Sequence, residues 1–270
     1  MIVYNVLSIY HLNYNITSEI FNLNSKKILI GEGLMPRTLI THPTDLTGNG
    51  THTREYVLFK ELKADELDRL SSLTKIKILG EKQYLLSQYS PALQVFNIAS
   101  GIALIERIAS NGDRQVLAFI FPGDFVGLTQ SEHFEYGVKC ITEMQAYAFK
   151  RTEFMALAED IPQLKKNISD IGANVLARAL DQVFILGQKK AEERLCFLFL
   201  QLLERLPGAT PDYIHLPMTR QDIGDYLGLT VETVSRALAK LKKEGLISIP
   251  SPHILKIEDL DGVTDLGEVE

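Results

Sequence analysis

Met218-Thr-Arg-Gln-Asp-Ile-Gly-Asp-Tyr-Leu-Gly-Leu-Thr-Val-Glu-Thr-Val-Ser-Arg236, followed by Ala237-Leu-Ala-Lys-Leu-Lys-Lys-Glu-Gly245, decides how this chain is read. Apolar residues fall at Ile223, Leu227, Leu229, Val234 and Leu238. Gly224 and Gly228 stand where two short helices must approach and the backbone must turn. Thr219 is placed to cap the first helix and Thr230 the second. Glu232, Ser235 and Arg236 lie on the face of the second helix that the apolar residues leave uncovered. This is the pattern of a helix-turn-helix whose second helix enters the DNA major groove. Beyond Gly245, Leu246–Ile249 and His253–Ile257 flank Pro250-Ser-Pro252, which predicts a small hairpin, a wing.

Composition sets the frame. A chain of 270 residues holds one or two domains with a sizeable core. The net charge of -6 argues by itself against a nucleic-acid binder. The charge is uneven, however: Arg236 to Lys243 holds four cations and no acid, and Glu258 to Glu270 holds six acids and no cation. A local basic strip outweighs the total, because phosphate charge acts over about one Debye length, roughly 10 Å. The only cysteines, Cys140 and Cys196, offer no disulfide framework and fit a reducing cytoplasm. No apolar run approaches the roughly 20 residues that span a bilayer. The expected location is therefore cytoplasmic, with no membrane partner.

Working toward the N-terminus, Lys189-Lys-Ala-Glu-Glu-Arg-Leu195 opens a strongly apolar helix that Pro207-Gly208 ends. Between Arg151 and Gln188 the period is helical. Leu164, Ile168, Ile171 and Val175 form one stripe, and Leu176, Ala179, Val183 and Leu186 continue it shifted by one residue. That drift matches a helix following a near-3.5-residue seam, and pairing with a second copy of the chain is the simplest use of it. Burial of the stripe against the chain's own strands is the competing reading.

Strand signals fill the preceding segment. Gln94–Ile98, Ile102–Ile108, Arg114–Phe121, Val138–Thr142 and Gln145–Lys150 are separated by Gly101, Asn111-Gly112-Asp113 and Pro122-Gly123-Asp124. Short strands with glycine turns at this spacing predict an antiparallel roll or barrel. Residues 54–79 predict a short helix leading into a strand. Residues 1–53 show no lasting period. Gly31-Glu-Gly33 just before Met35 permits purine-rich codons resembling a ribosome-binding site. A native start at Met35, with residues 1–34 not native, and a true extension stay open.

These residues resemble the Crp/Fnr transcription regulators over residues 54–258. Lys190-Ala-Glu-Glu-Arg194, Leu216-Pro-Met-Thr-Arg220 and Leu227-Gly-Leu-Thr-Val-Glu-Thr-Val-Ser-Arg236 look like the Fnr/FixK branch almost residue for residue. The roll matches more loosely, through Gly101, Gly112 and Pro122-Gly-Asp124. The resemblance implies an α+β chain that is not an enzyme. It would comprise an irregular segment (1–53), a cyclic-nucleotide-binding-like antiparallel β-roll (54–150), a long dimerisation helix (151–188), a C-terminal winged helix-turn-helix (189–258) and an acidic tail (259–270). The implied partners are double-stranded DNA, RNA polymerase and a second copy of the chain. The implied site is a TTGAT-N4-ATCAA-like inverted repeat, and the implied outcome is activation.

Each candidate residue has a chemical reason. Arg236 has the fork to bond O6 and N7 of guanine, Glu232 accepts from a cytosine amino group, and Val231 suits a thymine methyl. Ser235 is short enough for a nearby base edge. Thr219, Arg220, Thr230, Thr233 and Lys240 are candidates for phosphate contacts, which hold register without reading sequence. The bland alternative for Glu232 and Arg236 is a solvated i,i+4 pair, worth about 0.3–0.5 kcal/mol.

No cofactor or metal is expected. Where the family's nucleotide-binding acid would follow Gly127 the chain has Leu128, and no arginine lies between Arg114 and Arg151, so the resemblance argues against cyclic nucleotide. Two cysteines do not supply the four thiolates of an Fnr-type iron–sulfur cluster. A haem or small molecule in the roll, with His133 as a candidate ligand, is the alternative reading, and redox control through Cys196 is a further one. A cupin-like metalloenzyme is poorly supported, since His133 is the only histidine between Ile76 and Lys150. The leading reading is a regulator with no small ligand, controlled by its own abundance, a case that some FixK-type regulators resemble.

Overall fold

A computed structural model describes residues 57–269. The irregular segment 1–53 and the question of a start at Met35 lie outside the described residues.

A 3-10 turn at Val57–Phe59 precedes helix α1 (Ala64–Ser72), and eight strands follow. They are β1 (Lys75–Leu79), β2 (Tyr84–Leu86), β3 (Gln94–Ser100), β4 (Ala103–Ile108), β5 (Arg114–Ile120), β6 (Phe125–Val126), β7 (Gly137–Cys140) and β8 (Met144–Lys150). They form two four-stranded sheets, ordered β1-β8-β3-β6 and β2-β7-β4-β5, with every pairing antiparallel. The predicted roll is present. The short strands β2 and β6 were not foreseen, because two or three residues give too little alternation to register as a period.

Phe96, Ile98, Ala103, Val138, Ala146 and Ala148 fill the space between the sheets. The opposite face of the first sheet is also covered: Val95, Tyr147 and Phe149 pack on Leu58, Phe59, Phe154 and Leu164. Strand β8 is therefore buried on both sides apart from Lys150, which explains its near-continuous apolar run.

Six helices and a third, three-stranded sheet follow the roll. Helix α2 spans Arg151–Asp160 and helix α3 spans Pro162–Gln188. One helix was expected from Arg151 to Gln188. Instead Ile161 is extended and Pro162 occupies the first position of α3, where a missing N–H costs nothing. Helix α4 (Ala191–Arg205) carries Leu195, Cys196, Leu198, Phe199 and Leu202 into the C-terminal core. Strand β9 (Ile214–His215), helix α5 (Arg220–Leu227), helix α6 (Val231–Lys243) and the hairpin of β10 (Ile247–Ser251) and β11 (Ile254–Ile257) complete a winged helix-turn-helix. The wing has three strands, β10-β11-β9.

Two expectations change. The apolar stripe of α3 divides in two. Leu164 is fully buried and Ile168 and Ile171 are half-buried against the chain's own roll, whereas Val175, Leu176, Leu180, Val183 and Phe184 are exposed. Asn167 pins the buried half, donating to the Leu58 and Lys60 carbonyls at 3.0 and 2.8 Å. The acidic C-terminal segment is not a solvated tail. Asp259 caps a further helix, α7 (Leu260–Gly267), whose Val263 is buried in the same core as α4. Gly267 lies so close to α4 that a Cβ there would meet the Phe197 nitrogen at 2.8 Å.

The turn between α5 and α6 rests on two glycines. Gly228 has φ 63, the left-handed conformation a helix C-terminus favours. A Cβ on Gly224 would meet the Leu229 carbonyl oxygen at 2.6 Å, and that oxygen belongs to backbone that cannot swing aside. In an open helix Gly→Ala stabilises by up to about 1 kcal/mol. Gly224→Ala is expected to do the reverse, costing about 1–3 kcal/mol through overpacking. Urea denaturation monitored by far-UV circular dichroism measures the sign.

Candidate nucleic-acid interface

Helix α5 starts with a reciprocal cap. Thr219 Oγ1 accepts from the Asp222 N–H at 3.1 Å, while Asp222 Oδ2 accepts from the Thr219 N–H at 3.0 Å. Helix α6 is capped by Thr230, whose Oγ1 accepts from the Thr233 N–H at 3.2 Å and shares a hydrogen bond with the Thr233 hydroxyl at 2.9 Å. Val234, Ala237, Leu238 and Leu241 bury one face of α6 against Ile223 and Leu227 of α5 and the apolar face of α4.

The other face of α6 is open. Val231, Glu232, Ser235 and Arg236 are all exposed, the side chains of Glu232 and Arg236 to 81% and 82%. Their charged ends stand 3.8 Å apart, a loose surface pair that neither buries nor immobilises the guanidinium. Ser235 donates its hydroxyl to the Val231 carbonyl at 2.8 Å, so its outward lone pairs remain as acceptors. The helix thus presents a carboxylate, a hydroxyl oxygen and a guanidinium along one edge.

The residues expected to meet phosphate are less uniform. Thr219 and Thr230 are exposed but engaged as caps. Arg220 is half-buried, and desolvation lowers its pKa. Lys240 is exposed, yet its ammonium already pairs with Glu192 of α4 at 2.9 Å, which raises the lysine pKa and lowers that of the carboxylate. A phosphate at Lys240 would have to displace that pair.

The positions weighed for a ligand or for redox control lie in the roll and in α4. Asp124, near the position of the family's nucleotide-binding acid, accepts both oxygens' worth of bonds from Arg205 Nη2, at 2.8 and 2.6 Å. The Arg205 guanidinium also stacks 4.6 Å from the Phe121 ring centroid. His133 is exposed at a backbone bridge to Pro91. Cys196 is fully buried, and desolvation, reinforced by Glu193, Glu192 and Glu244, pushes its thiol up to about 12. A thiol held protonated is slow to oxidise, so Cys196 acts as a small apolar residue.

Residues 193–266 match the profile of the Crp-like helix-turn-helix domain, and residues 76–160 match that of the cyclic nucleotide-binding domain. The transcriptional activatory protein AadR of Rhodopseudomonas palustris is 35% identical over 188 residues, which cover 68% of this chain and 77% of AadR. The nitrogen fixation regulation protein FixK of Bradyrhizobium diazoefficiens is 30% identical over 80% of this chain and 92% of its own length. The chain belongs to the Crp/Fnr family of transcription regulators. Among solved structures, FixK2 from Bradyrhizobium japonicum superposes with a TM-score of 0.68 at 29% identity, covering 73% of this chain and 98% of FixK2. Membership of the Fnr/FixK-like branch follows from these relatives. The Crp/Fnr chain is thus a DNA-binding transcription regulator of a family that is not enzymatic, and α5 and α6 are its helix-turn-helix.

Sequence reasoning singled out the outward edge of α6 but not what holds the motif in place. Three consecutive carbonyls at the end of α5 have no helical partner, and all three are satisfied from outside the motif. Gln115 of β5 donates to the Asp225 carbonyl, Gln182 of α3 to the Tyr226 carbonyl at 2.8 Å and Arg194 of α4 to the Leu227 carbonyl at 2.8 Å. No local signal announces contacts between residues this far apart in the chain.

Proposed function

We propose that this Crp/Fnr chain is a homodimeric, cytoplasmic activator that binds a TTGAT-N4-ATCAA-like inverted repeat and recruits RNA polymerase. The observation that carries the reading is the outward edge of α6, where Glu232, Ser235 and Arg236 face solvent together. In this reading Arg236 bonds guanine O6 and N7, Glu232 takes the cytosine amino group, and Val231 and Ser235 touch neighbouring bases. Thr219, Arg220, Thr230, Thr233 and Lys240 contact phosphates and fix register. Lys240 exchanges Glu192 for a phosphate on binding.

Dimerisation is read from α3. Its 27 residues give a helix about 40 Å long. The exposed residues Val175, Leu176, Leu180, Val183 and Phe184 recur at i, i+4 and i+7 or i+8, as in a coiled-coil seam. A contiguous apolar stripe of this kind in water marks an interface. Accordingly 57–150 is assigned to the sensory roll, 151–188 to the roll-anchored dimer helices, and 189 onward to the DNA-binding domain, which α7 completes. No helix among the described residues is long and apolar enough to cross a membrane, in keeping with DNA as the partner. Activation is carried over from AadR, a transcriptional activatory protein.

Fluorescence anisotropy with a labelled TTGAT-N4-ATCAA duplex, a scrambled duplex and a single half-site tests the reading, with stoichiometry from light scattering. Two chains on each palindromic duplex, and affinity at least about a thousandfold above the scrambled control, are expected. One chain per duplex, or equal affinity for the scrambled sequence, rejects it.

A further inference from the structure

The charged contact between the roll and the DNA-binding motif has a built geometry. Arg114 begins β5, and its side chain faces α5. Its Nε donates to Glu106 Oε2 at 2.7 Å, and its Nη1 donates to Asp222 Oδ1 at 2.9 Å and to Asp225 Oδ2 at 2.7 Å. Glu106 is anchored from behind by the Tyr84 hydroxyl. All four charged groups are largely withdrawn from water, with side-chain exposures of 24% for Arg114, 3% for Glu106, 15% for Asp222 and 12% for Asp225. Burial acts to lower the Arg114 pKa, but the hydrogen bonds to Glu106 and Asp222 outweigh it and raise it. One guanidinium thus holds three carboxylates, using both edges of its rigid fork.

The surroundings make this contact a fixed joint. Gln115, the next residue, donates to the Asp225 carbonyl, and the Phe119 ring lies 4.9 Å from that of Tyr226. Leu104, Val116, Phe119 and Phe121 of the roll belong to the same core as Tyr226, Leu227 and Val234. Asp222 is also the carboxylate that caps the start of α5. Arg114 therefore touches the first and second turns of α5 at once, through residues three apart on one face. Gly224 and Leu229 couple α5 tightly to α6, so a displacement of α5 on β5 moves the base-reading edge by the same rigid rotation. The joint does not cover that edge, since Glu232, Ser235 and Arg236 stay exposed while it is closed.

We infer that Arg114 is a positioning residue for DNA recognition: by gripping Asp222 and Asp225 it fixes the reading head on the roll, and thereby sets the half-site spacing that the protein accepts. The inference rests on the dimeric reading proposed above. Two recognition helices must meet base edges about one duplex turn, roughly 34 Å, apart. Each head is carried by its own chain's joint, so an error at the joint enters the spacing twice.

The experiment measures full-length protein by anisotropy against duplexes whose TTGAT half-sites are separated by three, four, five or six base pairs, and against a single half-site. The parent is expected to favour the four-base spacer by about tenfold or more, within the usual range of coupling between sites. Arg114→Gln is expected to lose about tenfold on that spacer and to bind all spacers within about threefold, with the half-site affinity and the dimer mass unchanged. Arg114→Lys, which keeps the charge but not the fork, is expected to fall between them. Asp225→Asn, which spares the buried Glu106 partner, carries the same test should Arg114→Gln fail to fold. Retention of the parental spacing preference by the folded variants overturns the inference. An equal loss on every spacer and on the half-site overturns it too, by showing a merely structural role. A parent that binds but has no spacing preference removes the dimeric reading, and the inference with it, and that result appears in the parent alone.

Discussion

Arg236→Ala is expected to abolish sequence-specific binding while leaving the protein folded and its oligomeric mass unchanged. A bidentate arginine–guanine pair supplies about 1–3 kcal/mol of discrimination, and a dimer makes it twice, so about 2–6 kcal/mol is at stake. That corresponds to roughly 30-fold to more than 10⁴-fold in affinity. The side chain is 82% exposed and holds only the loose contact to Glu232, so its removal leaves no cavity and no buried unpaired group. The variant's melting temperature should match the parent's, and its residual binding should depend on salt but not on sequence. Anisotropy on cognate and scrambled duplexes over a salt series makes the measurement. A variant with unchanged affinity and unchanged preference would remove Arg236 from the interface.

The second large effect is expected from the exposed half of α3. Leu180→Glu combined with Val183→Glu places two carboxylates in the proposed seam, four in the dimer. Leu180 and Val183 are 61% and 68% exposed in the single chain, so the substitutions do not disturb its own core. Removing apolar contact and adding like charges across a seam is expected to leave a folded monomer at micromolar concentration. Half-site binding should persist weakly, whereas palindrome affinity should fall to about the same level, a loss on the order of a hundredfold or more through lost effective concentration. Light scattering and anisotropy on the two duplexes report both quantities. A variant that remains dimeric assigns the seam elsewhere.

How much of this was legible depends on distance along the chain. The helix-turn-helix was readable because its requirements are local. Thr219 and Thr230 cap within three residues, Gly228 turns where a left-handed residue is needed, and Gly224 meets Leu229 five residues on. The outward placement of Glu232, Ser235 and Arg236 follows from helical period alone. The roll was readable from its glycine turns, though not its shortest strands. The joint was not readable: Arg114 is 108 and 111 residues from Asp222 and Asp225, and nothing in an arginine opening a strand shows what faces it. The division of the α3 stripe was hidden for a related reason. Apolar spacing fixes which side of a helix is buried but not by what, and Leu164 and Leu180 look alike until the roll is seen to reach only the first of them. The C-terminal helix α7 was masked by its charge, since Asp259, Asp261 and Asp265 dominate a segment whose buried side rests on Val263 and Gly267.

The central claim is that two copies of the α6 edge read paired sequences at a fixed separation. Sequencing of duplexes that the untreated full-length protein selects from a random pool tests it most directly. The account predicts enrichment of two TTGAT-like half-sites in inverted orientation, their centres about one helical turn apart. A lone half-site, a direct repeat, or a pool with no enriched sequence would contradict it.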